Sequence, residues 1–294
     1  MKIVLTGSSG RVGRSIYTAL SNRHEVAGVD RTPFSTTSLL GDLNDASLLR
    51  GALQDADAVI HTAALHAPHV DLIADEEFYR VNVEATRNLA GLAAEAGVRR
   101  FVFTSTTALY GQAVEDGKCA WLDEDTLPQP RTIYHRTKLD AERALADFAS
   151  PTFDVRVLRM ARSFPEPADQ MAAYRLHRGI DIRDVADAHL LALDNPGDPF
   201  QMFVISAATP FLVEDRGALA SDAPSLIRLR APDVAAAFEE RGWRLPKTID
   251  RVYDSGKARR LLGFAPKYGF GEVLAQLDRR SMETLPCRPS SNTL

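Results

Sequence analysis

The sequence predicts an α/β fold, a doubly wound parallel sheet with a smaller C-terminal lobe. Three observations carry that prediction. Short β-rich runs alternate with helical stretches through the first half of the chain, and those runs are apolar nearly throughout instead of at every second position. A glycine-rich turn, Gly7-Ser8-Ser9-Gly10-Arg11-Val12-Gly13, joins the first strand to the first helix. Strands that are apolar on both faces belong to a parallel sheet covered by helices on either side.

Taken in order, Lys2–Thr6 is an apolar strand, and 10–22 is a helix with Val12, Ile16, Ala19 and Leu20 along one side. Glu25–Asp30 is the second strand, a third short one precedes Gly41, and 57–61 and 100–104 supply two more. Between the last two, 76–96 reads as one long helix, with Phe78, Val81, Leu89 and Leu92 at helical spacing. A helix over 132–148 and a sixth strand over 154–159 complete the alternation. The first domain is expected to span 1–160. Beyond it, prolines divide the chain into short pieces: helices at 183–193, 232–241, 255–262 and 270–280, and a strand at 202–206. This part, 161–284, reads as the smaller lobe, with its 183–206 segment returning to the sheet. The stretch 285–294, with Pro286, Pro289, Ser290 and Ser291, reads as a disordered tail.

Composition narrows the partners. Of the 294 residues 45% are apolar and 25% charged, the balance of a soluble globular protein. A net charge of −4 gives no reason to expect nucleic acid or an anionic membrane. No apolar run approaches the ~20 residues that span a bilayer, and the opening residues are too short a run for a secretory signal. Cys119 and Cys287 lie far apart in dissimilar contexts, which suggests neither a disulfide framework nor a zinc site. A cytoplasmic location is the expectation.

Gly7, Gly10 and Gly13 follow a strand and open a helix, the context in which this pattern points to a dinucleotide. Missing side chains permit the tight turn and close approach of a pyrophosphate, and the helix N-terminus offers it free N–H groups. Ser9, Arg11 and Val12 belong to the same turn. Asp30 ends the second strand, one helix and one strand beyond the glycine turn, where a carboxylate can hold an adenosine ribose diol. That carboxylate favours NAD by repelling a 2′-phosphate. Arg11 or Arg31 could pair with such a phosphate, so NADP stays open. Asp42 and Leu43 follow the third strand and suit the adenine edge; a helix cap for the segment starting near Asn44 explains Asp42 equally well. Thr62, Ala63 and Ala64 are small enough to let a cofactor pass close to the chain. Tyr134 and Lys138, four apart on a helix, share one face. If that face looks onto a nicotinamide ring, the ammonium draws the phenol toward neutrality, and the phenol can exchange a proton with a substrate hydroxyl or carbonyl.

The glycine turn, Asp42-Leu43, His61-Thr62-Ala63-Ala64, Asn82-Val83, the run from Thr104 to Gly111 and Tyr134-His135-Arg136-Thr137-Lys138 stand in the order used by extended short-chain dehydrogenases/reductases. The chain resembles that superfamily, the NAD-dependent epimerase/dehydratase family, closely over about 1–195 and loosely beyond. The resemblance implies a Rossmann-type sheet, NAD as cofactor, Tyr134 as general acid/base, and Lys138 holding the nicotinamide ribose and depressing the phenol's pKa. It also implies Thr106 at the reacting oxygen, Ser105 near the nicotinamide amide, and Asn82 securing the cofactor strands. After the sixth strand Arg162 stands where nucleotide-sugar enzymes carry an Asn. Only fifteen residues separate it from Arg178, little chain to wrap a nucleoside diphosphate. The Ser163-Phe164-Pro165-Glu166-Pro167 run resembles uronate dehydrogenases, which implies Ser163 as a substrate donor.

His66, Thr107, Arg162 and Ser163 are expected around the substrate together with Thr106 and Tyr134. Arg162, Arg175 and Arg178 suit a carboxylate or phosphate, although solvated loop charge is the plainer reading of each alone. His61, His66 and His69 lack the Cys or patterned carboxylates of a metal site. The function expected is an NAD(P)-dependent oxidoreductase acting on a small polar, sugar-derived molecule. A sugar or nucleotide-sugar epimerase with tightly bound NAD is the alternative, and a non-catalytic cofactor-sensing protein a third reading. A homodimer through the two long helices is the expected assembly.

Overall fold

The apolar runs assemble as a single parallel sheet. The computed structural model describes residues 1–287, and its strands are β1 (Lys2–Thr6), β2 (Glu25–Asp30), β3 (Leu39–Leu40), β4 (Ala58–His61), β5 (Arg100–Thr106), β6 (Ala120–Leu122), β7 (Asp154–Met160), β8 (Phe200–Ile205) and β9 (Arg251–Tyr253). Seven of them pair in the order β3-β2-β1-β4-β5-β7-β8. The order reverses between β1 and β4, and at such a switch point the carboxyl ends of the strands open a crevice for a ligand.

Burial on both faces explains why the strands are apolar throughout. In β1, Ile3 and Leu5 join a core with α1 (Arg11–Leu20) and α7 (Ile182–Asp194), while Val4 joins the opposite core. That second core is built by α2 (Ala46–Leu53), α4 (Ala85–Glu95) and α5 (Ile133–Ala146). Strand β8 completes the sheet beside β7. A separate apolar cluster, including Met171, Phe211, Leu226, Phe238 and Val273, fills the lobe of α6 (Ala168–Tyr174), α8 (Arg216–Ser221), α9 (Ala223–Arg230), α10 (Pro232–Glu240) and α12 (Phe270–Asp278). Helix α11 (Gly256–Leu261) leans on the sheet core instead, through Ala258.

Three features add to the sequence reading. The long helix read at 76–96 runs from Asp75 to Glu95 as α3 (Asp75–Tyr79), a π turn over Arg80–Glu84, and α4. Asn82 lies inside the wider turn, and its side chain is spent locally, accepting from the Leu65 N–H (2.8 Å) and donating to the Leu65 carbonyl (2.9 Å) and the Thr137 hydroxyl (3.0 Å). The second is a two-stranded parallel sheet, β6 with β9, which the sequence reading did not anticipate. At three residues apiece, these strands are too short for period-two alternation to stand out. The third concerns the tail. Its first residue, Leu285, pairs with Pro167, donating to Glu166 and accepting from Ala168; 288–294 lie outside the described residues. Among the described residues no helix is long and apolar enough to cross a membrane.

One buried ion pair fastens the helix that carries Tyr134 to the sheet beneath it. Ser105 of β5 and Arg159 of β7 are register partners, so their side chains leave the same face. Glu142 of α5 meets both: it accepts from Arg159 Nη2 at 2.6 Å and from the Ser105 hydroxyl at 2.5 Å. Both charged residues are almost wholly buried, Glu142 at 2% and Arg159 at 3% exposure. Removing one partner strands the other charge away from water. Glu142→Gln should therefore lower unfolding free energy by about 3–5 kcal/mol, checked by urea denaturation; a loss under about 1 kcal/mol would refute this role.

Candidate active site

At the carboxyl ends of the strands lies a cavity of about 620 Å³. Of the residues expected to touch cofactor or substrate, all but Asn82 and Arg175 border it. At its floor, Gly7 takes φ +71°, and a Cβ there would meet the Ala63 nitrogen and Thr62 Oγ1 at 2.6 Å. A Cβ on Gly13 would fall 2.1 Å from the Gly7 carbonyl oxygen, so α1 can begin against this turn only as glycine.

The end of the cavity beside the glycine turn is set by hydrogen bonds to carboxylates. Asp30 accepts from the Ser9 N–H at 3.0 Å and from the Thr32 N–H at 2.9 Å, which fixes it at the rim above the glycine turn. Arg31 is exposed beside it. Arg11 faces the other way: its guanidinium donates to the Ser163 carbonyl and to the Glu283 carboxylate. Asp42 borders the cavity but also receives the Asn44 N–H at 2.9 Å, and Arg80 pairs with it at 3.4 Å. The cap of α2 is Asp45, which accepts from Ser47 and Leu48. The capping role considered for Asp42 thus falls to its neighbour.

At the opposite end, β5 delivers Ser105 and Thr106 while α5 delivers Tyr134 and Lys138. Thr132 starts α5 by accepting the His135 N–H at 3.3 Å, which places Tyr134 in the first turn. The Tyr134 hydroxyl hydrogen-bonds Thr106, whose Oγ1 also caps the following short turn at Ala108. Lys138 is 2% exposed, with its ammonium 3.8 Å from the Phe103 ring centroid. Burial pushes the Tyr134 phenol up to about 12, opposed by the bond to Thr106. Burial likewise pulls Lys138 down to about 7, opposed by the Glu142 charge. The expected acidification of the phenol by the ammonium is therefore not what the chain produces on its own. Desolvation is the largest influence on both groups.

Other expected residues turn out differently placed. Arg175 does not reach the cavity; it is buried against Asp181 at 3.3 Å. Arg162 borders it, but Glu166 holds its guanidinium at 2.6 Å. His61 is a core residue between the Thr6 (2.6 Å) and Thr86 (2.9 Å) hydroxyls, pushed down to about 3 by burial and then by the Lys138 charge. His66 lines the cavity, stacked 5.9 Å from the Phe164 ring, while His69 serves it from outside by accepting its N–H. Among the described residues no three His, Cys, Asp or Glu side chains gather as metal ligands. Arg131, Arg251 and Tyr253 line the cavity and were missed from the sequence. The alternation in Arg251-Val252-Tyr253, polar residues flanking an apolar one, was the available sign of a strand.

A family model described as NAD dependent epimerase/dehydratase family matches residues 3–169. The chain belongs to that family. Members fall within the extended short-chain dehydrogenase/reductase superfamily and are NAD-dependent, which fits the carboxylate of Asp30 at the nucleotide rim. A dTDP-glucose 4,6-dehydratase of Streptomyces antibioticus is 29% identical over 266 residues, 82% of this chain and 75% of that protein. A 3-beta-hydroxysteroid dehydrogenase of Mycolicibacterium neoaurum is 33% identical over 162 residues, 48% of this chain but only 42% of that protein's length. A solved structure described as MoeE5 in complex with UDP-glucuronic acid and NAD is 26% identical with a TM-score of 0.70, covering 95% of this chain and 99% of that one.

The depressed Lys138 sets a pH dependence of stability. Unfolded, this lysine keeps its proton to about 10.5; folded, it releases it near 7. Between those values the unfolded chain binds more protons, so stability rises with pH, and the cost of the buried ammonium is full below pH 7. In the cofactor-free protein, Lys138→Met should be more stable by on the order of 4 kcal/mol at neutral pH and should lose that slope. Urea melts from about pH 6.5 to about pH 9.5 check it; parallel curves for the two proteins would refute it.

Proposed function

We propose that this protein is an NAD-dependent oxidoreductase of the extended short-chain dehydrogenase type, transferring hydride at a hydroxyl or carbonyl carbon of a small polar, sugar-derived substrate. The observation that carries the reading is the single cavity shared by the glycine turn, Asp30, Thr106, Tyr134 and Lys138. In this reading residues 1–160 hold the cofactor and 161–284 shape the substrate's surroundings. Gly7, Ser9, Gly10, Arg11, Val12 and Gly13 take the pyrophosphate region, Asp30 the adenosine ribose, and Asp42 with Leu43 the adenine. Thr62, Ala63 and Ala64 flank the cofactor's middle, with Ser105 and Lys138 at its nicotinamide end. Arg31 is the group that would admit NADP.

NAD, when bound, supplies the hydride acceptor and, in its oxidised form, a positive charge within the cavity. The chain's own residues handle the proton. Thr106 and Tyr134 hold the substrate oxygen between two hydroxyls, and Tyr134 takes the hydroxyl proton as the carbon is oxidised, or returns it in reduction. A positive charge in the same cavity offsets the desolvation that keeps the phenol protonated. His66, Thr107, Arg162 and Ser163 complete the substrate's surroundings. A homodimer through α4 and α5 and a cytoplasmic location belong to the same reading.

The alternative, an epimerase that returns its hydride, is supported by family membership. The fifteen residues between Arg162 and Arg178 weigh against a nucleoside diphosphate, and Thr107-Ala108 after Thr106 lacks the acidic pair a dehydratase needs. Purified protein with NAD and a panel of sugars distinguishes the outcomes: net NADH absorbance supports the oxidoreductase, and an isomerised sugar without NADH the epimerase. Tyr134→Phe should cut kcat by about 10²–10⁴-fold with NAD uptake by calorimetry retained. Unchanged turnover in this variant would sink the mechanism, and an intact biological role would favour the cofactor-sensing reading.

A further inference from the structure

Charge is distributed unevenly around the cavity. Among the described lining residues the acids are Asp30 and Asp42, both at the nucleotide end. The other end carries Arg131, Arg162, Arg178 and Arg251. Glu166 neutralises Arg162. Arg131 has no carboxylate within ion-pair distance among the described residues.

Arg178 and Arg251 share one carboxylate. Asp250 Oδ2 lies 2.5 Å from Arg251 Nη2, and its other oxygen lies 3.7 Å from Arg178 Nη1. Two guanidinium groups held by one carboxylate leave an excess positive charge, and gathering like charges on a partly buried wall costs energy that an arriving anion recovers. The position is built, too. Strand β9 carries Arg251, its pairing with β6 fixes the backbone, and His177 Nδ1 meets the Arg251 carbonyl oxygen at 2.8 Å. Arg178 lies over the Tyr174 ring at 4.8 Å, and its carbonyl accepts the Arg162 N–H at 3.2 Å.

The same strand sets the distance to the chemistry. Tyr253 donates to the carbonyl of Thr107, the residue after Thr106, at 3.4 Å. Arg251 stands two residues earlier on the same face of β9, about 7 Å along the strand. A group reaching Arg251 from the reacting oxygen therefore lies within about one sugar ring of the chemistry, close enough for an oxyanion carried by the sugar itself.

We propose that Arg178 and Arg251, buttressed by Asp250, form an anion subsite that grips an oxyanion, carboxylate or phosphate, carried close to the substrate's reacting carbon. For the reaction this rests on the oxidoreductase reading above; the anion site itself stands on the arginines. The guanidinium fork suits either oxyanion, and Arg251 sets the preference for an acidic over a neutral sugar.

The test uses the full chain saturated with NAD, so that the pyrophosphate region is filled. Three matched sugars, differing only in a terminal alcohol, carboxylate or phosphate ester, are compared by NADH formation. The wild type should favour one of the two acids over the alcohol, and which one identifies the oxyanion. Arg251→Gln and Arg178→Gln should each lower kcat/KM for that acid by roughly ten- to hundredfold. Arg251→Lys, which keeps the charge without the fork and guards against a folding defect, should recover part of the loss. Calorimetry with inorganic phosphate as probe reads the subsite without turnover: the NAD-loaded wild type binds it and the Gln variants do not. Equal use of all three sugars, or phosphate uptake absent from the wild type or unchanged in the variants, overturns the subsite and leaves the oxidoreductase reading standing. Phosphate uptake lost in both variants, with no sugar turned over, keeps the subsite and defeats that reading.

Discussion

The packing of α5 on β5 and β7 is the constraint on which the site depends. Register places Ser105 opposite Arg159, and alternation turns both toward α5, where Glu142 closes the contact. Lys138 lies one turn before Glu142 and Tyr134 one turn before that, so a single anchored helix sets all three. Arg159 extends the network by donating to the Tyr110 hydroxyl at 2.9 Å, and Tyr110 in turn donates to the Asp123 carbonyl at 2.6 Å. The strand end bearing Thr106 and the helix bearing Tyr134 thus meet a common buried network, which limits their relative movement.

That rigidity has an electrostatic counterpart. A phenol and an ammonium held in a desolvated wall are both driven toward their neutral forms, and the chain spends stability to keep them there. Among the described residues Glu142 is the carboxylate whose charge acts on Lys138, and Arg159 already claims most of its hydrogen-bonding capacity. The site is thus poised to respond strongly to any charge brought into the cavity, since low-dielectric surroundings magnify each interaction.

The sheet and the cavity rim beside the glycine turn were legible because their signals are local. A strand, a glycine turn and a helix are contiguous in 2–20, and Asp30 follows at the end of the next strand, so spacing alone placed them. Tyr134 and Lys138 were legible for the same reason, being one helical turn apart. The opposite wall of the cavity was not. Arg251 and Tyr253 reach the cavity through a pairing of β9 with β6, a strand from the distant first half of the chain, and strands this short carry too little pattern to announce themselves. Asn82 lies off the cavity: the π turn commits its amide to Leu65 and Thr137, a tie between the loop after β4 and α5 that spacing alone does not reveal. Arg175 looked like a free loop cation, and only the fold shows Asp181 beneath it. Titration behaviour was the least legible property, because it depends on burial that no spacing encodes.

Arg11 ties the beginning of the polypeptide to its far end. Its guanidinium leaves the glycine turn for Ser163 and Glu283, and just beyond Glu283 the backbone at Leu285 is laced to Pro167. In the proposed reading, a ligand in the turn that recruited Arg11 would draw on the same side chain as the seating of the carboxyl-terminal segment. By reciprocity, whatever one gains or loses through Arg11 the other must feel in equal measure. The segment around Glu283 is in this sense coupled to the glycine turn, although nearly the whole length of the chain separates it from the glycines.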